Sequence, residues 1–193
     1  DLAYLRSIPN IIISSPYDEI ELRNLMYTGQ LPDQGPFVIR YPRGRGLICD
    51  WKKPFSPIVV GTGREIKSGN EIAVLSIGPI GNLAYEAIQE WEKSSGKSAA
   101  LFDMRFLKPI DTDLLHRVGK EFKHIITIEN GTVLGGLGSA VTEFMADNGY
   151  KPSIKRLGLP DEFIEHGATP KLLQICNIDK DAIINTLNDI VKS

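Results

Sequence analysis

The clearest indication of the fold is the stretch EIAVLSIGPIGNLAYEAIQEWEKSSGKSAALFDMRF, residues 71–106. Two short apolar runs, EIAVLSIG (71–78) and SAALFDMRF (98–106), predict buried strands. Between them, NLAYEAIQEWEKSSG (82–96) repeats its apolar residues at helical spacing and ends at a glycine, which predicts an amphipathic helix. A strand, a helix and a second strand in this order form a parallel crossover unit.

The same alternation continues to the C-terminus. DTDLLHRVGKEF (111–122) and GLGSAVTEFMADNG (136–149) predict helices, whereas HIITIEN (124–130) and PSIKRLG (152–158) predict strands. Two short helices, TPKLLQIC and DKDAIINTLNDIVK, follow. Repeated units of this kind indicate a three-layer α/β domain, with a mostly parallel sheet and helices on both of its faces.

A second, incomplete α/β unit precedes this domain. NIIISS (10–15) predicts a strand, YDEIELRNLMYTG (17–29) a helix and PFVIRYP (36–42) a second strand. Glycines and prolines then recur at short intervals over residues 44–70, which indicates a linker with at most one strand pair, around residues 58–67. We therefore expect a partial domain over 1–50, a linker over 51–70 and a complete domain over 71–193. The opening DLAYLRSIPN has neither an initiator Met nor a signal-peptide pattern, so we expect a fragment.

Composition narrows the class of protein. The 193 residues are 42% hydrophobic and 24% charged, with a net charge of −2, which is typical of a globular protein without a general attraction for nucleic acid. No apolar run approaches the ~18 residues that span a bilayer. Neither the cysteines nor the histidines have metal-ligand spacing, so this chain alone is not expected to build a metal site. These residues are Cys49, Cys176, His116, His124 and His166.

The segment RYPRGRG (40–46) places Arg40, Arg43 and Arg45 at the carboxyl end of a predicted strand. Ligands bind at this edge of open parallel sheets, and the planar guanidinium group matches a phosphate or a carboxylate. The alternative is a solvated loop whose arginines pair with surface acids. The residues alone leave both interpretations open.

The segment ENGTVLGGLGSA (129–140) resembles a dinucleotide-binding loop but departs from its spacing. Val141 stands where the third glycine belongs, and five residues separate Asn130 from Gly136. Close approach of a helix to a strand explains the glycines without a ligand. Glu129 is a candidate catalytic acid, although a carboxylate that caps the amides of the next loop is the more usual arrangement.

Two further segments carry charge near strand ends. In MRFLKPID (104–111), we interpret Arg105 and Lys108 as a structural salt-bridge corner rather than a site. In GLPDEFIEHG (158–167), we expect a packed surface loop anchored by Phe163 and Ile164. Its His166 is a candidate base only in principle.

Five motifs occur in one order along the chain: YLRSIPN, VIRYPRG, FDMRFLKPID, IENGTVLGGLGSAVTE and LGLPDEFIEHG. Together they resemble the C-terminal portion of the 1-deoxy-D-xylulose-5-phosphate synthases, thiamine-diphosphate enzymes of the transketolase superfamily. The β-subunits of 2-oxoacid dehydrogenases share DMRFLKPID and GGLGS loosely, but YLRSIPN, RYPRG and GLPDEFI favour the synthases. A third alternative is a non-catalytic dimerisation or binding module.

The resemblance implies a position for each region. Residues 1–50 would end a pyrimidine-binding domain, and residues from about 71 would form a transketolase C-terminal domain. The family's Gly-Asp-Gly magnesium motif and its cofactor-activating glutamate have no counterparts here. Thiamine diphosphate and Mg²⁺ would therefore belong to the full-length enzyme. We expect no catalytic residue, cofactor ligand or metal ligand in this chain, and no activity from it alone.

The family's reaction joins pyruvate, after decarboxylation, to glyceraldehyde 3-phosphate. Arg43 matches the RYPRG arginine and is implied to hold the phosphate of the aldehyde, whereas Glu129 and His166 match no catalytic residue. The implied partners are the missing N-terminal domains, a second copy in a homodimer and small-molecule substrates, with neither nucleic acid nor membrane. The implied compartment is the cytoplasm, or a plastid.

Overall fold

The computed structural model describes residues 1–44, 46 and 52–192. Seven helices and eight strands are assigned within those ranges. The helices are α1 (Leu2–Leu5), α2 (Glu19–Thr28), α3 (Ile80–Ser95), α4 (Thr112–Glu121), α5 (Leu137–Asp147), α6 (Thr169–Ile175) and α7 (Lys180–Lys192). The strands are β1 (Ile12–Ser14), β2 (Phe37–Ile39), β3 (Arg64–Lys67), β4 (Ile72–Ile77), β5 (Ala99–Asp103), β6 (Phe106–Lys108), β7 (His124–Thr132) and β8 (Ser153–Leu159).

The larger sheet has five strands in the order β3-β5-β4-β7-β8. Strand β4 lies at its centre, parallel to β5 through Ile72↔Ala99 and parallel to β7 through Ala73↔Ile125. Strand β8 continues the parallel set, and β3 runs antiparallel to β5 at the opposite edge. The predicted mostly parallel sheet is confirmed.

Two apolar clusters cover the two faces of this sheet, which confirms the three-layer arrangement. Side chains of α4 and α5, such as Leu115 and Met145, pack on one face. Side chains of α3 and α7, such as Trp91 and Leu187, pack on the other. The strands at the centre are apolar on both sides because both sides are buried.

The smaller sheet has three strands in the order β2-β1-β6 and contradicts one sequence prediction. Strand β1 is parallel to β2, as the strand–helix–strand pattern predicts, but it is antiparallel to β6. Residues 98–106, predicted as one strand, end in the larger sheet at Asp103. Arg105 then takes a left-handed φ of 54°, and this turn carries Phe106–Lys108 into the smaller sheet. The prediction was wrong because apolar content does not show which sheet a strand joins.

The predicted linker contributes to the larger sheet. Within residues 52–70, the structure has one strand, β3, and its partner is β5 rather than a second linker strand. The helices largely follow their predicted boundaries: Asp18 caps α2 by accepting from Glu21 N, and Asp111 caps α4 by accepting from Leu114 N.

Candidate phosphate-binding site

Arg43 lies four residues beyond the end of β2, in an exposed loop. Its side chain makes no hydrogen bond or ion pair with the described part of the chain. A guanidinium group without an internal partner keeps its donors for a ligand, and its charge is not neutralised by a neighbour. Arg45, the third arginine of this loop, lies outside the described residues.

Arg40 has a different role, because its side chain is already engaged. Nη2 donates to the carbonyl oxygen of Asn130 over 2.7 Å, which joins the smaller sheet to the end of β7. The backbone of Arg40 is held as well, since its N–H donates to Ser14 O and its carbonyl accepts from Ser15 Oγ. Burial lowers the pKa of this guanidinium from its ordinary value, against the opposing effect of Glu129. Arg40 therefore anchors the base of the loop that carries Arg43.

A cavity of about 260 Å³ lies beside this loop. Its walls come from the residues after β1, the start of α2, the Arg43 loop and Pro79 at the start of α3; they include Tyr17, Leu22, Tyr41 and Pro42. Burial, and then the nearby Asp103 carboxyl group, raise the pKa of Tyr17 to about 12, so its phenol stays protonated at neutral pH. The cavity therefore combines apolar walls with two tyrosines and the acids Asp18 and Glu19, and the loop residues on either side of Arg43 line it.

A buried charge cluster lies behind α2. Arg105 Nε is 2.6 Å from Glu21 Oε1, and Arg64 Nη2 is 3.1 Å from the same oxygen. Arg64 Nε is 3.3 Å from Asp103 Oδ2, while the N–H of Arg105 donates to Asp103 Oδ1. The salt-bridge interpretation of Arg105 is confirmed. Glu21, Arg64 and Asp103 are not predicted as a cluster from the sequence, because no spacing pattern connects them.

Asp103 is fully buried, and this determines its titration. Burial and then the Glu21 carboxylate raise the pKa of Asp103 to about 8, although Arg64 and Arg105 act in the opposite direction. Two acids and two bases thus meet where α2 contacts the larger sheet. These ion pairs hold helix α2, which packs beside the smaller sheet, against the larger sheet.

Glu129 is 2% exposed and lies against the N-terminus of α5. Its Oε1 accepts a hydrogen bond from Gly138 N over 3.0 Å. A Cβ atom on Gly136 would come within 2.0 Å of Glu129 Oε2, so only glycine leaves room for this carboxylate. The capping interpretation is confirmed: the carboxylate occupies the helix N-terminus at which a dinucleotide loop would bind a phosphate. Burial raises the pKa of Glu129, whereas hydrogen bonds from the backbone N–H groups of Gly138 and Leu137 act in the opposite direction.

The remaining predicted candidates serve structural roles or lie in solvent. Lys108 Nζ donates to the carbonyl oxygens of Arg6 and Ile8, over 3.0 and 2.6 Å, so its role is structural, but its partners are backbone carbonyls rather than the acid that a salt bridge requires. His166 is exposed and lies in a loop without regular structure. The prediction that Phe163 anchors this loop is wrong, because its side chain is fully exposed at 108%. Apolar character predicted burial, but the loop leads this ring away from both apolar clusters.

Two further features bear on cofactors and membranes. Among the residues that the structure describes, no group of three or more His, Cys, Asp or Glu side chains could hold a metal ion. The described residues therefore do not bring together the carboxylate ligands that a magnesium–diphosphate site would need. None of the described helices is both long and apolar enough to cross a membrane.

The fold and the sequence together identify the protein family to which this chain belongs. Residues 61–183 match the family described as the transketolase C-terminal domain, and the chain belongs to this family.

The sequence is also similar to named synthases along nearly its whole length. It is 59% identical over 187 residues to a 1-deoxy-D-xylulose-5-phosphate synthase of Bacteroides thetaiotaomicron, covering 97% of this chain and 29% of that protein. It is 37% identical over 194 residues to the synthase of Bacillus mycoides, covering 31% of that protein. The chain thus spans about a third of the length of the curated relatives that it matches.

Solved structures show the same architecture. A protein described as a split-gene transketolase, an inactive β4 tetramer, superposes with a TM-score of 0.80 at 27% identity, covering 99% of this chain and 60% of that one. A transketolase variant from Pichia stipitis superposes with a TM-score of 0.68 at 17% identity, covering 26% of its chain, and supports the fold alone.

Proposed function

We propose that this chain forms the C-terminal part of a 1-deoxy-D-xylulose-5-phosphate synthase, which condenses pyruvate with glyceraldehyde 3-phosphate. The observation that carries the proposal is the 59% identity to such a synthase across 97% of the chain. Residues 1–50 would complete a pyrimidine-binding domain, and the remainder after the linker would be the transketolase C-terminal domain. Thiamine diphosphate and Mg²⁺ would be cofactors of the complete enzyme, in the cytoplasm.

Within that enzyme, Arg43 binds the phosphate of glyceraldehyde 3-phosphate. Support comes from its free guanidinium group, its exposure and the neighbouring cavity of about 260 Å³. The phosphate is remote from the carbon that reacts, so its binding energy serves to position the aldehyde. A charge-assisted, bidentate contact of this kind is worth about 2–3 kcal/mol, which corresponds to roughly 30- to 150-fold in kcat/KM.

The test is steady-state kinetics of the complete enzyme encoded by the natural gene. Arg43→Ala should raise KM for glyceraldehyde 3-phosphate strongly and leave KM for pyruvate nearly unchanged. Arg43→Lys should recover only part of the loss, because an ammonium group keeps the charge but not the planar fork. Arg40 is unsuitable as a control because it anchors the loop, so the matched control is Arg23→Ala, whose guanidinium lies 4.6 Å from the Phe55 ring centre. Equal effects of Arg43→Ala and Arg23→Ala would refute the phosphate assignment.

The isolated 193-residue chain is proposed to be inactive and to associate with itself, as a homodimer or a larger assembly. The related split-gene transketolase supports both points, because it is described as an inactive β4 tetramer. Calorimetry of this chain with thiamine diphosphate and Mg²⁺ should show no binding. Micromolar binding would contradict the proposal.

A further inference from the structure

The loop after β8 exposes an aromatic ring that no contact in one copy explains. Phe163 is 108% exposed and forms one wall of a groove of about 430 Å³, whose other walls are Thr132, Leu159, Pro160, Ile164 and the acids Asp161 and Glu162. Leu134, two residues beyond Thr132, is 51% exposed. An aromatic side chain next to an apolar groove is typical of the centre of a protein interface.

Strand β8 lies at the edge of the larger sheet. It pairs with β7 on one side, and no described strand pairs with its other side. Unpaired edges of this kind are surfaces on which another chain can dock. The groove and Phe163 continue directly from this edge, so strand and loop form one surface, residues 151–168.

The charges along this surface are divided by sign. Its first half is basic, with Lys151 and Lys155 exposed, and its second half is acidic, with Asp161, Glu162 and Glu165 exposed. None of these five side chains makes a hydrogen bond or ion pair with the described part of the chain. A two-fold axis reverses the direction of the second copy, which places the basic half of one copy beside the acidic half of the other.

We propose that residues 151–168 are a self-association surface, at which two copies of this chain meet around a two-fold axis near Gly158. Each Phe163 is buried in the groove of the opposite copy, and Lys155 of each copy faces Asp161 of the other. The inference rests on the self-association proposed above and adds its location and chemistry. Complementary charges determine the specificity and relative orientation of the two copies, while the buried ring supplies most of the affinity.

Sedimentation equilibrium of the 193-residue chain tests the surface. Phe163→Asp should raise the dissociation constant of the dimer by at least about 30-fold, the usual effect of losing a central aromatic contact. The ring is fully exposed in one copy, so the variant is expected to keep its fold, which circular dichroism can verify. The matched control is Val59→Asp, an exposed apolar residue elsewhere that is 72% accessible and should leave the dissociation constant unchanged.

A charge exchange tests the two-fold geometry. Lys155→Glu and Asp161→Lys should each weaken the dimer, because each sets like charges against one another. The double variant should recover most of the affinity, since opposite charges face each other again. If the chain dimerises but neither Phe163→Asp nor the single charge variants weaken it, the surface is wrong although self-association stands. If the chain is monomeric at all concentrations, both are wrong, whereas the phosphate assignment to Arg43 is unaffected.

Discussion

Arg105 Nε lies 2.6 Å from Glu21 Oε1, and this contact joins the connection after β5 to helix α2 of the smaller unit. The two residues are 84 positions apart in the chain. Glu21 is only 3% exposed, so its charge depends on Arg105 and Arg64 for compensation. The relation between the two sheets is therefore partly electrostatic, unlike the apolar packing within the larger sheet.

Removing one side of this pair should destabilise the chain. Arg105→Met leaves a buried carboxylate with a single remaining base, and we expect the free energy of unfolding to fall by about 3 kcal/mol. Lys180→Met is the control, because the Lys180–Glu90 pair lies at the surface, where solvent screens it, and its loss should change the free energy of unfolding far less. Urea denaturation measures both. A similar small loss in the two variants would show that the Glu21 charge is compensated in another way.

Asp103 should make stability depend on pH. Its pKa is raised to about 8 in the folded chain, against an ordinary value of 3.8, so folding takes up a proton between these limits. The stability that Asp103 contributes through this proton uptake is fully present below pH 4 and is lost as pH rises through 8. Its slope is at most about 1.4 kcal/mol per pH unit. Asp103→Asn cannot titrate, so its unfolding free energy should decline less between pH 5 and pH 8. Parallel pH profiles of the two proteins would contradict the assignment.

Gly136 and Glu129 should be energetically coupled. Gly136→Ala places a methyl group 2.0 Å from Glu129 Oε2, so the buried carboxylate must move, at a cost of about 2 kcal/mol. In a Glu129→Ala background, the same substitution should cost under about 0.5 kcal/mol because the obstacle is gone. Gly44→Ala is the control, since a Cβ atom there meets nothing within 4 Å. Additive effects in the double-mutant cycle would show that the two residues are not energetically coupled.

Hydrogen exchange should distinguish the two units. The amides of β4, β5 and β7 lie between two apolar clusters and should exchange slowest. Residues 12–39 contribute two of the three short strands of the smaller sheet, and their amides should exchange faster, through local unfolding of lower free energy. Arg105→Met should widen the difference. Equal protection of both units in the unsubstituted chain would show that they unfold together.

Local patterns were enough to predict most elements of this protein. The apolar runs, the helical spacing in residues 82–96 and the caps Asp18 and Asp111 all act over a few residues, so the sequence displays them directly. The structural role of the Gly136 loop was predictable for the same reason, because its spacing departs from that of a dinucleotide loop.

The contacts between distant segments could be seen only in the folded chain. The turn at Arg105 moves β6 into the smaller sheet, and the cluster of Glu21, Arg64 and Asp103 forms through chain folding rather than through spacing. The sequence predicts that Phe163 anchors a packed loop, but in the structure its side chain is exposed to solvent. The physical reason is common to these cases: periodicity records which side of an element is apolar, but which partner covers that side depends on contacts between residues far apart in the chain.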